Sequence, residues 1–155
     1  VASYLTAALG SIATAWQALT PTHQPGRPYR RVTTQLAVPD GTSGVNVFWF
    51  EIPTSSVVVG LSSLATTIDY EVTARCRLSL SGVSIGDRPT VVADRVTQLM
   101  GAANRVVPPA GVRSIRCSSA GPHEALVDVD DEGNEISAGD VDVVLAFTIR
   151  TEETD

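Results

Sequence analysis

From Ile68 to Ser81 apolar and polar residues alternate without a break. Tyr70, Val72, Ala74, Cys76, Leu78 and Leu80 fall on one face, and Glu71, Thr73, Arg75, Arg77 and Ser79 on the other. A period of two is the signature of a β-strand, so this segment is predicted as a half-buried strand with one charged face. Asp140 to Arg150 repeats the device, with Val141, Val143, Leu145, Phe147 and Ile149 on one face, while Val144 and Ala146 make the other partly apolar. The two strands are expected in one sheet. Between them, Thr90 to Arg105 changes period. Val92, Val96, Leu99, Met100 and Ala103 line one face of a helix that would cover the sheet, with Asp94 and Arg95 pointing elsewhere.

A second amphipathic helix opens the chain. Leu5, Leu9, Ile12, Trp16 and Leu19 recur at helical spacing beside Ala8 and Ala13, Ser3 is a candidate N-cap, and Thr20-Pro21 ends the pattern. After a Pro-rich loop (Pro21 to Pro28), Tyr29 to Val38 and Val45 to Ile52 both read as strands. The turn signal Pro39-Asp40-Gly41-Thr42-Ser43-Gly44 between them predicts a hairpin. The second strand is apolar on both faces: Val45, Val47 and Trp49 on one, Phe48, Phe50 and Ile52 on the other. Two readings stand for it, a strand buried on both sides or one whose outer face packs on another subunit. Pro53 to Thr67 has no decisive pattern. Gly82 to Arg88 is a turn, Asp87 is a candidate cap for the second helix, Pro89 suits its first turn, and Pro108-Pro109 stops it. Val112 to Cys117, Glu124 to Val129 and Val141 to Arg150 complete the strands. The fold class is therefore α+β, a mainly antiparallel sheet covered on one face by two amphipathic helices, with a projecting hairpin.

The chain has 155 residues, which fits a single domain (1–155) with a two-layer core, and 43% hydrophobic against 18% charged residues is the composition of a folded protein. A net charge of −6 disfavours binding to nucleic acid phosphates. All eleven basic residues are Arg. A GC-rich coding genome accounts for that, and selection for planar carboxylate recognition at subunit contacts is the alternative. Cys76 and Cys117 are too few for a disulfide scaffold. Cys76 is expected as a buried thiol, with a Cys76–Cys117 bond the other reading. No apolar run is long enough for a membrane span. The Ala-rich start lacks the basic leader of a signal peptide, so a mature cytoplasmic chain with its initiator methionine removed is expected.

The acidic concentration Asp128 to Asp140 places Asp128, Asp130, Glu132 and Gly133 at the spacing of the first half of a calcium loop. Gly139 stands where that loop needs a bidentate carboxylate, and the flanks read as strands, so a solvated hairpin tip is preferred. His23 and His123 sit singly in loops. There is no phosphate-cradling loop and no nucleophile elbow. No catalytic residue, metal ligand or cofactor is assigned from the residues, and an enzymatic role is not expected.

The order helix, hairpin, alternating strand, helix and strands carries a resemblance. With Tyr70-Glu71-Val72 followed by Arg88-Pro89-Thr90, and a closing DVDVVLAFTIRTEE strand, it resembles the tail terminator (tail completion) proteins of long-tailed bacteriophages. The likeness spans most of the chain and is one of architecture and length. It implies a structural virion protein of the tail or neck, assembled in the host cytoplasm. Such a protein forms a hexameric ring, caps the tail tube and docks to the head connector. On that reading Phe48, Phe50, Arg75 and Arg77 are expected at a subunit or tube interface, and Asp130, Asp131 and Glu132 on a hairpin that contacts a partner. For the two arginines the competing reading is an ion pair within the subunit, with Glu71 and Asp142 as candidates. Another head-tail joining or tail tube protein, or a small cytoplasmic ligand-binding domain or enzyme, are the rival classes.

Overall fold

The computed structural model describes residues 3–23, 25–32, 46–80, 82–120, 123–129 and 131–154. Helix α1 (Ser3–Gln17) is followed by strands β1 (Tyr29–Arg31), β2 (Asn46–Phe50), β3 (Ser55–Leu61) and β4 (Ala65–Ser79). Helix α2 (Arg88–Asn104) then leads to β5 (Val112–Ala120), β6 (Glu124–Val129) and β7 (Glu135–Thr154). This is an α+β fold, one mixed sheet with two helices.

The two alternating segments are its spine. β4 and β7 pair antiparallel along their whole shared length, from Ala65↔Thr154 to Ser79↔Asp140. The period-two pattern of each strand therefore stacks its apolar residues on the same face as its partner's. Four shorter strands flank them end to end. β3 and β2 pair with the first and second parts of β4, and β5 and β6 with the last and first parts of β7. β2 continues toward β3 through hydrogen bonds from Glu51 N to Thr73 O and from Thr54 N to Glu71 O, both 2.9 Å. Pro53 lies between those bonds, where it has no N–H to offer.

Among the described residues the Tyr29 and Val45 segments do not pair as the expected hairpin. β1 pairs with β2 in parallel, Tyr29↔Asn46 to Arg31↔Phe48. A parallel pair cannot be joined by a tight turn, and the Pro39 to Gly44 turn signal lies outside the described residues.

The helices cover one face of the sheet. Leu5, Ala8, Ile12, Ala13 and Trp16 of α1 and Val91, Val96, Leu99, Ala102 and Ala103 of α2 are buried against Val72, Ala74, Cys76 and Leu78, and against Val143, Leu145, Phe147 and Ile149. Trp16 is the centre of this layer. Its ring lies 5.1 Å from Phe48 edge-on and 5.8 Å from Phe147, and its Nε1–H donates to Leu99 O at 2.9 Å, which ties α1 to α2 while satisfying a buried donor. At the entry to β5, Gly111 adopts φ 80, and a Cβ there would meet the Tyr4 ring at 2.5 Å. Only glycine meets both demands at no steric cost.

Two helix details differ from the expectations. Asp87 occupies the N-cap position of α2, but its side chain makes no cap hydrogen bond and instead accepts from Ser84 Oγ at 2.7 Å. Arg95, expected to point away from the core, is fully buried. Its Nε donates to the Tyr29 hydroxyl at 2.6 Å, and its guanidinium sits 5.1 Å over the Tyr29 ring. An aromatic face and a phenol oxygen give the cation partners that a purely apolar helix face would lack.

Candidate interaction surfaces

β2 is buried on both faces within the subunit, which decides between the two readings of that strand. Phe48 is completely enclosed, and Phe50 is half-buried, stacked 5.9 Å from Trp16 with the Arg31 guanidinium 5.0 Å from its ring. The expected interface role of Phe48 is therefore corrected: α1 brings Trp16 onto it, so no neighbouring chain reaches it. Val47 and Trp49, on the opposite face, are also buried.

Arg75 and Arg77 project from the polar face, and both find carboxylates of their own chain. Arg77 forms a two-pronged pair with Asp142, Nε to Oδ1 at 2.8 Å and Nη2 to Oδ2 at 3.0 Å. The register dictates this pair, since Arg77 lies directly opposite Asp142. The Asp142 hydrogen bonds raise the Arg77 pKa further. The guanidinium also lies 5.7 Å from the Trp49 ring. Arg75 Nε donates to Glu51 Oε1 at 2.5 Å. Glu71, the other expected partner, accepts from the Thr148 hydroxyl at 3.0 Å instead. Of the two readings for these arginines, the intrasubunit one describes what is found. The same face carries a two-pronged Arg150–Asp69 pair at 2.7 and 2.9 Å, which holds the Asp69 carboxyl below its usual range.

The acidic connection forms the turn between β6 and β7, with Gly133 at φ 84 and Val129 opposite Glu135. Asp131 and Glu132 are exposed there, and Asp130 lies outside the described residues. Among the described residues no three His, Cys, Asp or Glu side chains gather as metal ligands. Cys76 and Cys117 are buried and unbonded. Burial pushes the Cys76 thiol up to about 12 and the Cys117 thiol to about 11. His23 contacts Asp94 at 2.8 Å on the surface.

Two surfaces that sequence reasoning missed stand out. The first is the arm made by β3 and the start of β4, in the segment where no pattern was decisive. Ile52 is 87% exposed, Leu61 and Leu64 are each 80% exposed, and Val57, Val58 and Val59 are 46–58% exposed. Among the described residues β3 pairs with β4 alone, so its outer edge is open. The turn itself is well held: Ser62 Oγ accepts from Leu64 N at 3.3 Å and Ala65 N at 3.1 Å. The second is an open groove of about 730 Å³ beside the first turns of α2, lined by Leu80, Ile85, Pro89, Val92, Val96 and Val141, with Arg88, His123 and Asp140 also in its lining. Burial raises the Asp140 carboxyl above its usual range, with Arg77 pulling the other way. The run Val57-Val58-Val59 was a signal for an apolar edge, but periodicity does not say which strand lies at an edge.

No protein-family model matches the chain, and no curated protein matches it.

Proposed function

We propose that this chain is a structural ring subunit of a phage tail or neck. On this reading it is a tail-terminator-like protein that caps the tail tube and joins it to the head connector. The observation that carries the reading is the exposed arm. Ile52, Val57, Val58, Val59, Leu61 and Leu64 are 46–87% exposed, six large apolar side chains left in water along one strand and its turn. Apolar side chains exposed in this number cost free energy in water and are commonly covered in an assembly. The α+β architecture and the Tyr70-Glu71-Val72 and Arg88-Pro89-Thr90 segments support the same reading through the family they resemble. No residue is assigned a catalytic role.

The test is a native mass measurement on the purified full chain, followed by electron microscopy of tail tubes assembled with and without it. A closed oligomer that binds tube ends and fixes their length is expected; a strict monomer that leaves tube length unregulated would refute the proposal. A ligand-binding domain is the second reading, favoured by the groove at α2. A bound metabolite recovered from a monomeric protein would establish it.

A further inference from the structure

The outer face of the sheet holds a polar depression that the ring reading does not use. Arg150 of β7 lies opposite Ser114 of β5, and Thr148, on the same face of β7, lies opposite Arg116. The four side chains therefore form a two-by-two array, with the arginines on one diagonal and the hydroxyls on the other. Diagonal neighbours across an antiparallel pair stand about 7–8 Å apart, within reach of one another for long side chains. Together with Asp69 these four line a depression of about 250 Å³.

The arginines of this face are unevenly matched. Every other arginine of β4, β5 and β7 holds a carboxylate of its own chain: Arg75 that of Glu51, Arg77 that of Asp142, Arg113 that of Glu152 and Arg150 that of Asp69. Arg116 is exposed and makes no ion pair or hydrogen bond among the described residues. Arg150 gives Nε and Nη2 to Asp69, which leaves Nη1 without a partner among those residues, and the Ser114 hydroxyl is likewise uncommitted. Of the nearby carboxylates, Asp69 is matched by Arg150, and Glu71 lies beyond Thr148 and accepts from its hydroxyl. We propose that the depression binds the carboxylate of a small organic acid, held between Arg116 and Nη1 of Arg150, with Ser114 donating a further hydrogen bond. A planar guanidinium fork matches a carboxylate in two-pronged fashion, and this same face already does so at Arg77–Asp142 and Arg150–Asp69. An anion between the two guanidinium groups also offsets their mutual repulsion. The volume, about 250 Å³, equals that of roughly eight waters at ~30 Å³ each, the size of a small diacid such as succinate.

The experiment titrates the full chain, labelled with nitrogen-15, with sodium succinate at constant ionic strength, and follows the backbone amides by NMR. Sodium chloride and the α-amide of N-acetylglutamate, which carries a single side-chain carboxylate, are run in parallel. Succinate should give saturable shifts centred on Ser114 to Arg116 and Thr148 to Arg150. R116Q should weaken binding at least ~10-fold, the loss of one charge-assisted contact, and R116K should recover only part of it, because an ammonium lacks the planar fork. R113Q removes the same charge from the same strand at a residue outside the array, and should bind as the wild type does. Circular dichroism checks that each variant folds, which the exposure of Arg113 and Arg116 favours. No saturable shift with succinate in the high-millimolar range would overturn the inference. So would an equal response to chloride, or equal weakening in R113Q and R116Q, either of which would indicate general charge attraction. Tighter binding of the glutamate amide than of succinate would overturn the small-acid occupant in favour of an acidic side chain of a protein partner.

Discussion

Replacing Arg77 by Gln should destabilise the subunit far more than replacing Arg75, although the two changes remove the same charge from neighbouring positions of one strand. The Arg77 and Asp142 side chains are 19% and 5% exposed, those of Arg75 and Glu51 32% and 36%. Removing Arg77 leaves an enclosed carboxylate without its partner. That loss is worth about 3–5 kcal/mol for a fully buried pair, and about 3 kcal/mol here because Arg77 still touches water. Losing the guanidinium over Trp49 adds about 0.5–1 kcal/mol. The Arg75 pair is exposed enough that its loss costs about 0.5 kcal/mol. At about 2–4 °C per kcal/mol for a domain of this size, R77Q should melt about 10 °C below the wild type and R75Q within about 2 °C of it. Thermal denaturation followed by circular dichroism reads both. Molar salt should erase the R75Q effect and leave most of that of R77Q, since a buried pair is poorly screened. The double variant R77M/D142L should recover much of the R77Q loss, because an apolar pair has no unpaired charge to bury. Equal melting shifts for R75Q and R77Q, or no recovery in the double variant, would refute the assignment of Arg77 to the subunit's own fold.

Phe48→Asp should abolish folding as completely as Leu78→Asp, since both side chains are fully enclosed; urea titration checks this, and a folded but unassembled Phe48→Asp protein would restore the interface reading of Phe48. Gly111→Ala should cost about 2 kcal/mol or more, combining a left-handed backbone with a clash on Tyr4, read as a lower urea midpoint at unchanged slope. Stability should also fall in alkali. The fold holds Cys76 and Cys117 as neutral thiols, with pKa values of about 12 and about 11 against 9.0 when unperturbed. The unfolded chain therefore loses these protons first, and the stabilisation present below pH 9 is lost as pH rises from 9 through 12. Denaturant midpoints across that range should decline, and a C76A/C117A variant should decline less; equal slopes would refute the assignment.

The sequence by itself determined the two layers. Period-two alternation in Ile68 to Ser81 and Asp140 to Arg150, and helical spacing in the segments around Trp16 and Leu99, follow from local geometry. Each places apolar side chains on one face whatever the rest of the chain does. It also offered Asp142, beside Glu71, as a candidate partner for Arg75 and Arg77, because opposite charges on the outer faces of two strands in one sheet are candidates for pairing; which arginine met Asp142, and that Glu51 rather than Glu71 met the other, came from the register and the fold. Only the tertiary structure decided which strand lies beside which, and in what direction. β1 runs parallel to β2 although a strong turn signal separates their segments, because pairing direction is set by long-range contacts that no window of residues contains. The same holds for burial. Phe48 and Leu61 are both large and apolar, yet the first is sealed by Trp16 from a helix more than thirty residues earlier, and the second stands in water at a strand end. Arg95 reads as a solvent residue until Tyr29, sixty-six positions away, supplies an oxygen and a ring for its charge. Local patterns fix the face on which a side chain lies; whether that face is covered depends on elements distant in sequence, and the exposed arm and the α2 groove therefore emerged only from the fold.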